Sequence, residues 1–287
     1  MPGRRVQRHR QGVILPGMAE RVNDYNNGMA ERIRSQRVEA VVLRHTDWGE
    51  ADRLLWLFTR ELGKLQVVAK GLRKPRSRKA GHLEPFTRVE LLLARGRDLP
   101  IVTQAEAKDV YLELREDLVR VGYASYVVEL LDRFTYEEGE NIGLYRLLSE
   151  TLTRLNGEPQ PAFAVRYYEI RLLDLVGFRP QLFQCVNCGE EIQAVDQYFS
   201  FEKGGVFCLR CGEKEPGARP ISMLALRILR HFQRSRYGEA QRVGLSPMVD
   251  QELETLMGNY LTYLLERGLN TPAFLRRVKR AAAREEA

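Results

Sequence analysis

A change of hydrophobic period near Val110 constrains the fold of this chain more than any other feature. Upstream of it, apolar residues fall at every second position in five short runs: Val38–Leu43, Arg53–Thr59, Lys64–Lys70, Thr87–Ala94 and Ile101–Glu106. Alternation at period two turns one face of a strand toward a core. Five such runs in succession, parted by turn residues, predict a small closed barrel. Downstream, the period becomes 3.6. Leu118, Gly122, Tyr126, Val127, Leu130 and Phe134 share one helix face, and Leu144, Leu148, Leu152 and Leu155 share a second. Phe163 to Val176 is apolar nearly all round, which predicts a helix at the centre of a bundle. Pro161 stands where a helix should begin, and Gly157 and Gly177 where helices should end. The aromatic residues on these faces have helical spacing and read as core, in preference to a base-stacking platform.

All four cysteines lie in two CxxC pairs, Cys185/Cys188 and Cys208/Cys211, with nineteen residues between the pairs. Two such knuckles can present four thiolates tetrahedrally to one Zn²⁺. Four cysteine ligands leave no coordination position for water, so the site reads as structural. Two disulfides are the rival reading, disfavoured by a cytoplasmic, reducing location. Gly189 and Gly212, each following a knuckle, are expected to supply left-handed backbone. Tyr198, Phe199, Phe201, Val206 and Phe207 predict a hairpin between the knuckles. Beyond the module, Ser222 is expected to cap a helix that buries Ala225, Ile228, Leu229 and Phe232 and turns Arg227, Arg230 and Arg234 outward. Leu253, Leu256, Met257, Tyr260, Leu261, Leu264 and Leu265 mark a last long helix ending at Gly268, with Leu275 to Ala287 as a fraying tail. The expected organisation is α+β: a basic extension over residues 1–36, a barrel over 37–112, helices over 113–180 and 218–287, and a metal module over 181–217.

The formal net charge is +7, but the first 37 residues hold eight Arg against Glu20, Asp24 and Glu31, which accounts for +5 of it. Any case for a polyanion partner therefore rests on where charge clusters. That first segment has no sustained period and is expected to be disordered. Met18 and Met29 both precede the first strand, so translation is expected to start downstream of Met1. The outstanding cluster is Lys64, Lys70, Arg73, Lys74, Arg76, Arg78 and Lys79, a stretch without a carboxylate, broken by Gly71 and Pro75. A strand feeding such a loop can lay Lys and Arg along a phosphate backbone, since those contacts need charge and reach; a solvated basic surface is the other reading. Asp47, Glu50 and Asp52 sit together between the first two strands. They read as a polar turn in preference to a metal site, because no His or Cys joins them. Absence of an apolar run of about 20 residues, and of an apolar leader, points to the cytoplasm.

Read together, VVLR and GEAD (within Val41–Asp52), LFTRELGKLQVVAKGLRKPRSR (Leu57–Arg78), TQAE, LREDL, GFRPQLFQC and the paired CxxC motifs resemble the RecO family of bacterial DNA repair and recombination mediators. The resemblance runs from about Val38 to Val278. It implies an N-terminal OB-fold, a helical domain and, as in many members, an inserted zinc module that serves folding. It implies a cytoplasmic, nucleoid-associated protein without enzymatic activity that binds single- and double-stranded DNA, anneals complementary strands and acts with RecR, in some cases with RecF. Such a protein also binds the acidic tail of the single-stranded DNA-binding protein and helps load the recombinase RecA. By position and charge, the Lys64–Lys79 cluster would carry DNA, and Arg227, Arg230 and Arg234 would meet the carboxylates of the partner tail, unless that face is merely solvated. The rival class is a zinc-ribbon enzyme acting on nucleic acid, or a sequence-specific regulator. Its four histidines (His9, His45, His82, His231) are scattered, with no phosphate-binding loop and no helix-turn-helix signature.

Overall fold

The computed structural model describes residues 35–136, 139, 141–266 and 268–285. Except for Ser35 and Gln36, the expected basic extension lies outside the described residues.

Five strands close a barrel in the order β1-β2-β3-β5-β4: β1 (Ser35–Trp48), β2 (Asp52–Thr59), β3 (Gly63–Ala69), β4 (Arg88–Ala94) and β5 (Ile101–Asp109). Residues 35–41 of β1 pair antiparallel with β4 and residues 40–48 with β2, so that Ala40 and Val41 are bonded on both sides, and the β2 ladder shifts register between Val42 and Arg44. A parallel contact, Val68 opposite Ile101, closes the ring. Alternation does the sorting: Val38, Ala40 and Val42 point into the barrel with Leu55, Leu57, Leu65 and Val67. Val41, Leu43 and Phe58, on the other face, join the helical core. Both faces of β1 are thus buried at its centre. β1 runs five residues beyond the apolar stretch because its polar end is laddered to β2 through Thr46 opposite Leu54 and Trp48 opposite Asp52.

The helices are α1 (Leu112–Glu116), α2 (Leu118–Phe134), α3 (Ile142–Gly157), α4 (Pro161–Leu175), then, after the cysteine module, α6 (Met223–Arg234), α7 (Tyr237–Ala240), α8 (Pro247–Leu265) and α9 (Thr271–Glu285). Caps follow the sequence: Asp117 accepts from the amides of Val119 and Arg120, Asn141 from Leu144, Ser222 from Ala225 and Ser246 from Val249. α4 is the central helix, buried on every side from Phe163 to Leu173 except at Arg171. Leu118, expected in the core, is exposed.

Two further expectations need correction. α8 ends at Leu265 with Glu266, not a glycine, in the left-handed region at φ 51°. The C-terminal segment also does not fray as a loose tail; Thr271–Glu285 is a helix docked along α2. Glu129 of α2 accepts from the amides of Asn270 and Thr271 at 2.9 and 2.8 Å and from the Thr271 hydroxyl, a cap reached across space. Burial opposes ionisation of Glu129, but these donors and Arg133 hold its carboxyl below the usual range. Further along, Leu275 is buried against Gly122, where a Cβ would come within 2.7 Å of its side chain.

The cysteine module carries a three-stranded sheet, β7-β6-β8, formed by β6 (Gln197–Ser200), β7 (Gly205–Phe207) and β8 (Arg219–Ile221), and a short helix α5 (Leu209–Gly212). The predicted hairpin is present, with Tyr198 opposite Phe207 and Phe199 opposite Val206. Phe199 meets Tyr260 of α8 edge-on at 5.2 Å, so the module shares the helical core. No described helix is long and apolar enough to cross a membrane.

Candidate nucleic-acid interface and metal centre

The basic loop leaves the barrel after β3 and is fastened to it on both sides. Gly71, at φ +65°, donates its amide to Asp52 Oδ1 at 2.7 Å, and the Arg73 amide reaches the Ala51 carbonyl at 2.9 Å. Leu72 and Leu83 plug the barrel core. At the far end Lys79 Nζ donates to the Val102 carbonyl at 2.9 Å. Asp47 pairs with Arg53 and Arg73 at 3.3 and 3.4 Å. The carboxylates of the β1–β2 turn therefore hold the loop, which accords with a polar turn.

Seven cations singled out in the sequence do not share one fate. Lys70, Arg73, Lys74, Arg76 and Arg78 are exposed on the loop. Lys64 departs from the expectation. Its side chain is only 13% exposed and its ammonium sits between the barrel and α2, paired with the Asp132 carboxylate and donating to the Asp132 carbonyl at 2.8 Å. It lies on β3 at a position whose side chain faces the helices, which a charge run read linearly does not reveal. Lys79 is half-buried against Val102, and that burial lowers its pKa.

Trp48 is 54% exposed. It sits at the tip of the β1–β2 hairpin next to Gly49, whose carbonyl accepts from Arg73 Nη1 at 3.4 Å. An indole beside a row of cations is the pairing that stacks a base while charge holds the backbone. Trp56, by contrast, lies within β2 and is half-buried under the Arg44 guanidinium at 3.5 Å. Trp48→Ala is expected to weaken single-strand binding about 10-fold, the lower part of the range for one stacked base, with an unchanged melting temperature. Unaltered anisotropy titrations would exclude the stacking role.

Arg227, Arg230 and Arg234 do not form one free face. Arg227 and Arg234 are exposed, but Arg230 Nε donates to the Leu182 carbonyl at 2.8 Å and its Nη2 to Ile192 at 3.3 Å. Arg230 and Arg234 both cover the Phe183 ring, the latter at 3.7 Å. Two of the three thereby clamp the cysteine module onto α6.

Cys185, Cys188, Cys208 and Cys211 are not joined by disulfides, and their Sγ atoms all lie within 4.8 Å of one another. Cys188 and Cys208 are 3.8 Å apart, the edge of about 3.8 Å expected of a tetrahedron with 2.3 Å metal–sulfur bonds. Burial opposes ionisation of Cys185, but amide donors of Cys188, Cys208 and Asn187 outweigh it and bring the thiol down to about 6. Gly189 is left-handed at φ +75°, and its amide closes the first knuckle on the Cys185 carbonyl at 2.9 Å. Gly212 is not in the left-handed region; a Cβ there would run into the Tyr198 ring, so its glycine serves close packing. The donor set and spacing fit a metal ion held by four sulfurs.

Two family models cover most of the chain: one described as "Recombination protein O N terminal" matches residues 33–111, and "Recombination protein O C terminal" matches 115–273. The "DNA repair protein RecO" of Roseiflexus sp. (strain RS-1) is 42% identical over 244 residues, 85% of this chain and 86% of that protein. Those of Dehalococcoides mccartyi (strain ATCC BAA-2266 / KCTC 15142 / 195) and Desulforudis audaxviator (strain MP104C) are each 36% identical, covering 80% and 86% of this chain and 91% and 98% of their own lengths. With its barrel, its helical bundle and its four-cysteine module, this chain belongs to the RecO family of DNA repair proteins.

Proposed function

We propose that the chain is a non-enzymatic mediator that binds single- and double-stranded DNA through the barrel loop and anneals complementary strands. The observation that carries this reading is the exposure of Lys70, Arg73, Lys74, Arg76 and Arg78 on a backbone tied to the barrel at Asp52, Ala51 and Val102. Cations held in place neutralise phosphates without paying the entropy of ordering a loop, and so reduce the repulsion between two strands. No element of this surface presents a base-reading helix, so sequence preference is expected to be weak. Family membership supports RecR, and in some cases RecF, as partners, the acidic tail of the single-stranded DNA-binding protein as a ligand, and loading of RecA as the outcome. We take the metal to be one structural Zn²⁺, for which four sulfur ligands are the usual donors. A non-catalytic role is supported by how the titratable groups are used: His45 pairs with Glu84, His82 accepts from the Ala107 amide, and the thiols are gathered at one centre.

Annealing of complementary oligonucleotides tests the reading. Five phosphate contacts at about −0.7 each predict a log–log salt slope of about −3 to −4 on single strands. Changing Lys70, Arg73, Lys74 and Arg76 together to Glu should bring the slope near −1, weaken binding by about 100-fold or more at moderate salt, and abolish annealing. A folded variant that anneals at the wild-type rate would overturn the assignment.

A further inference from the structure

The C-terminal helix α9 carries Arg276, Arg277, Lys279, Arg280 and Arg284. Leu275 turns inward, and Arg276, Arg277, Arg280 and Arg284 are exposed. Among the residues whose side chains are described, which leaves Glu285 aside, no carboxylate lies within 4.0 Å of these four guanidinium groups. Some exposed arginines elsewhere are paired, as Arg37 is to Glu90 and Arg210 to Glu190, and others, such as Arg76 and Arg227, are not, so it is the regular spacing of the α9 arginines that sets them apart. Arg276, Arg280 and Arg284 recur every fourth residue, about 6 Å apart along the helix axis, which makes a row and not a point.

Beside that row lies a cleft of about 570 Å³ between α8 and α9, into which Arg276, Lys279 and Arg280 converge with Arg166 of α4. Arg166 is 2% exposed. Its Nη1 is held by Glu169 at 2.8 Å, while its Nε lacks a hydrogen-bond partner although Asp250 Oδ1 is 3.3 Å away. Arg166 is committed to Glu169 and Asp250, and Lys279 to Glu254 at 2.6 Å, which leaves Arg276 and Arg280 as the cations of the lining without a recorded ion pair. Thr255 and Asn259 of α8 add neutral donors to the wall. The balance is positive, the donors are mostly guanidinium, and guanidinium groups match phosphate oxygens in pairs.

We propose that the α8–α9 cleft and the Arg276–Arg284 row form a second nucleic-acid backbone site, which holds one strand while the barrel loop holds another. The occupant is a phosphodiester chain: the excess of unpaired guanidinium groups, repeated along an axis, fits a repeating anion better than a single one. The inference rests on the barrel loop being the first nucleic-acid site. Annealing needs two strands on one protein, and a second surface removes the need for both to share the loop.

The test uses the full chain with its metal bound. Wild-type protein loaded with an unlabelled oligonucleotide is expected to capture a second, non-complementary, labelled oligonucleotide of the same length. Changing Arg276, Arg280 and Arg284 together to Glu should leave binding of the first strand within about 2-fold, abolish capture of the second, and make the overall salt slope shallower by about 2. All three side chains are exposed, and retained helical signal and melting temperature establish that the variant folds; an Arg→Gln triple variant with a smaller loss in the same direction would add support. Second-strand capture equal to wild type in the folded Glu variant overturns the inference and leaves the barrel loop untouched. Loss of first-strand binding in the Lys70/Arg73/Lys74/Arg76 variant together with intact second-strand capture supports two independent surfaces. Absence of any binding by wild type sinks both readings. Displacement of the second strand, at fixed ionic strength, by inorganic phosphate or by a poly-glutamate peptide at concentrations where an oligonucleotide competitor has no effect overturns the assignment of a phosphodiester chain.

Discussion

Cys185→Ser is expected to unfold the four-cysteine module and to lower the melting temperature of the helical domain by about 10 °C or more. The sheet of this module has strands of four, three and three residues, too small to stand alone. What holds it is convergence of the two knuckles, and Cys185 is the buried member of the set, its thiol receiving backbone donors from three residues. Metal-coupled folding of such modules contributes about 10 kcal/mol or more in apparent terms. The damage spreads because Phe199, Val206 and Phe207 belong to the helical core. Re-exposing three large side chains costs roughly 5 kcal/mol or more, and about 2–4 °C follows each kcal/mol in a domain of this size. Chelation of the metal should reproduce the effect, and restoring the metal should reverse it. Metal content by mass spectrometry, expected at one ion per chain, and hydrogen exchange of residues 182–221 are the readouts. A Ser variant with wild-type protection across the module would show that the knuckles are held by packing alone.

Arg166→Met is expected to cost about 3–5 kcal/mol, the usual consequence of orphaning a buried charge. Arg166 and Glu169 are one turn apart on α4, both fully buried, with Nη1 at 2.8 Å from each carboxylate oxygen and the Tyr126 hydroxyl donating to the same group at 2.7 Å. Burial pushes the Glu169 carboxyl up, and Arg166 and Tyr126 pull it back. Without Arg166 the folded-state pKa stands further above the unfolded value of about 4.3. Between the two values the folded protein holds a proton that the unfolded chain has released. Stability of the variant is therefore greatest below about pH 4.3 and falls as pH rises through the folded pKa, so its deficit relative to wild type should widen toward neutrality. Arg166→Met combined with Glu169→Leu should recover part of the loss, because an apolar pair of similar volume needs no counter-charge; the stranded Tyr126 hydroxyl limits recovery by about 1–3 kcal/mol. Denaturant titrations at several pH values decide. A double variant no more stable than the single one would place the cost in packing and not in the orphaned carboxylate.

Much of the candidate site was legible along the chain, though unevenly. Cys185, Cys188, Cys208 and Cys211 come together as their spacing requires, since each knuckle is a local structure. The stretch Lys70–Arg78 is a loop because Gly71 and Pro75 break a strand there, again a local cause. Lys64 and Arg230 were misplaced for one shared reason. Whether a side chain faces solvent depends on which element packs over it, and for these residues the deciding neighbours, Asp132 and Leu182, belong to other elements.

The same division runs through the whole fold. Period, caps and cysteine spacing determined the barrel, most of the helices and the metal knuckles, because these arise from interactions between residues close in sequence. Tertiary structure alone decided that Thr271–Glu285 is an ordered helix and not a frayed end. Its stripe is short and its charge high, so it depends on the carboxylate of Glu129 and the notch at Gly122, residues more than 140 positions away. Docking there is also what brings Arg276, Lys279 and Arg280 to the cleft lined by the buried Arg166, an arrangement that no reading along the chain could place.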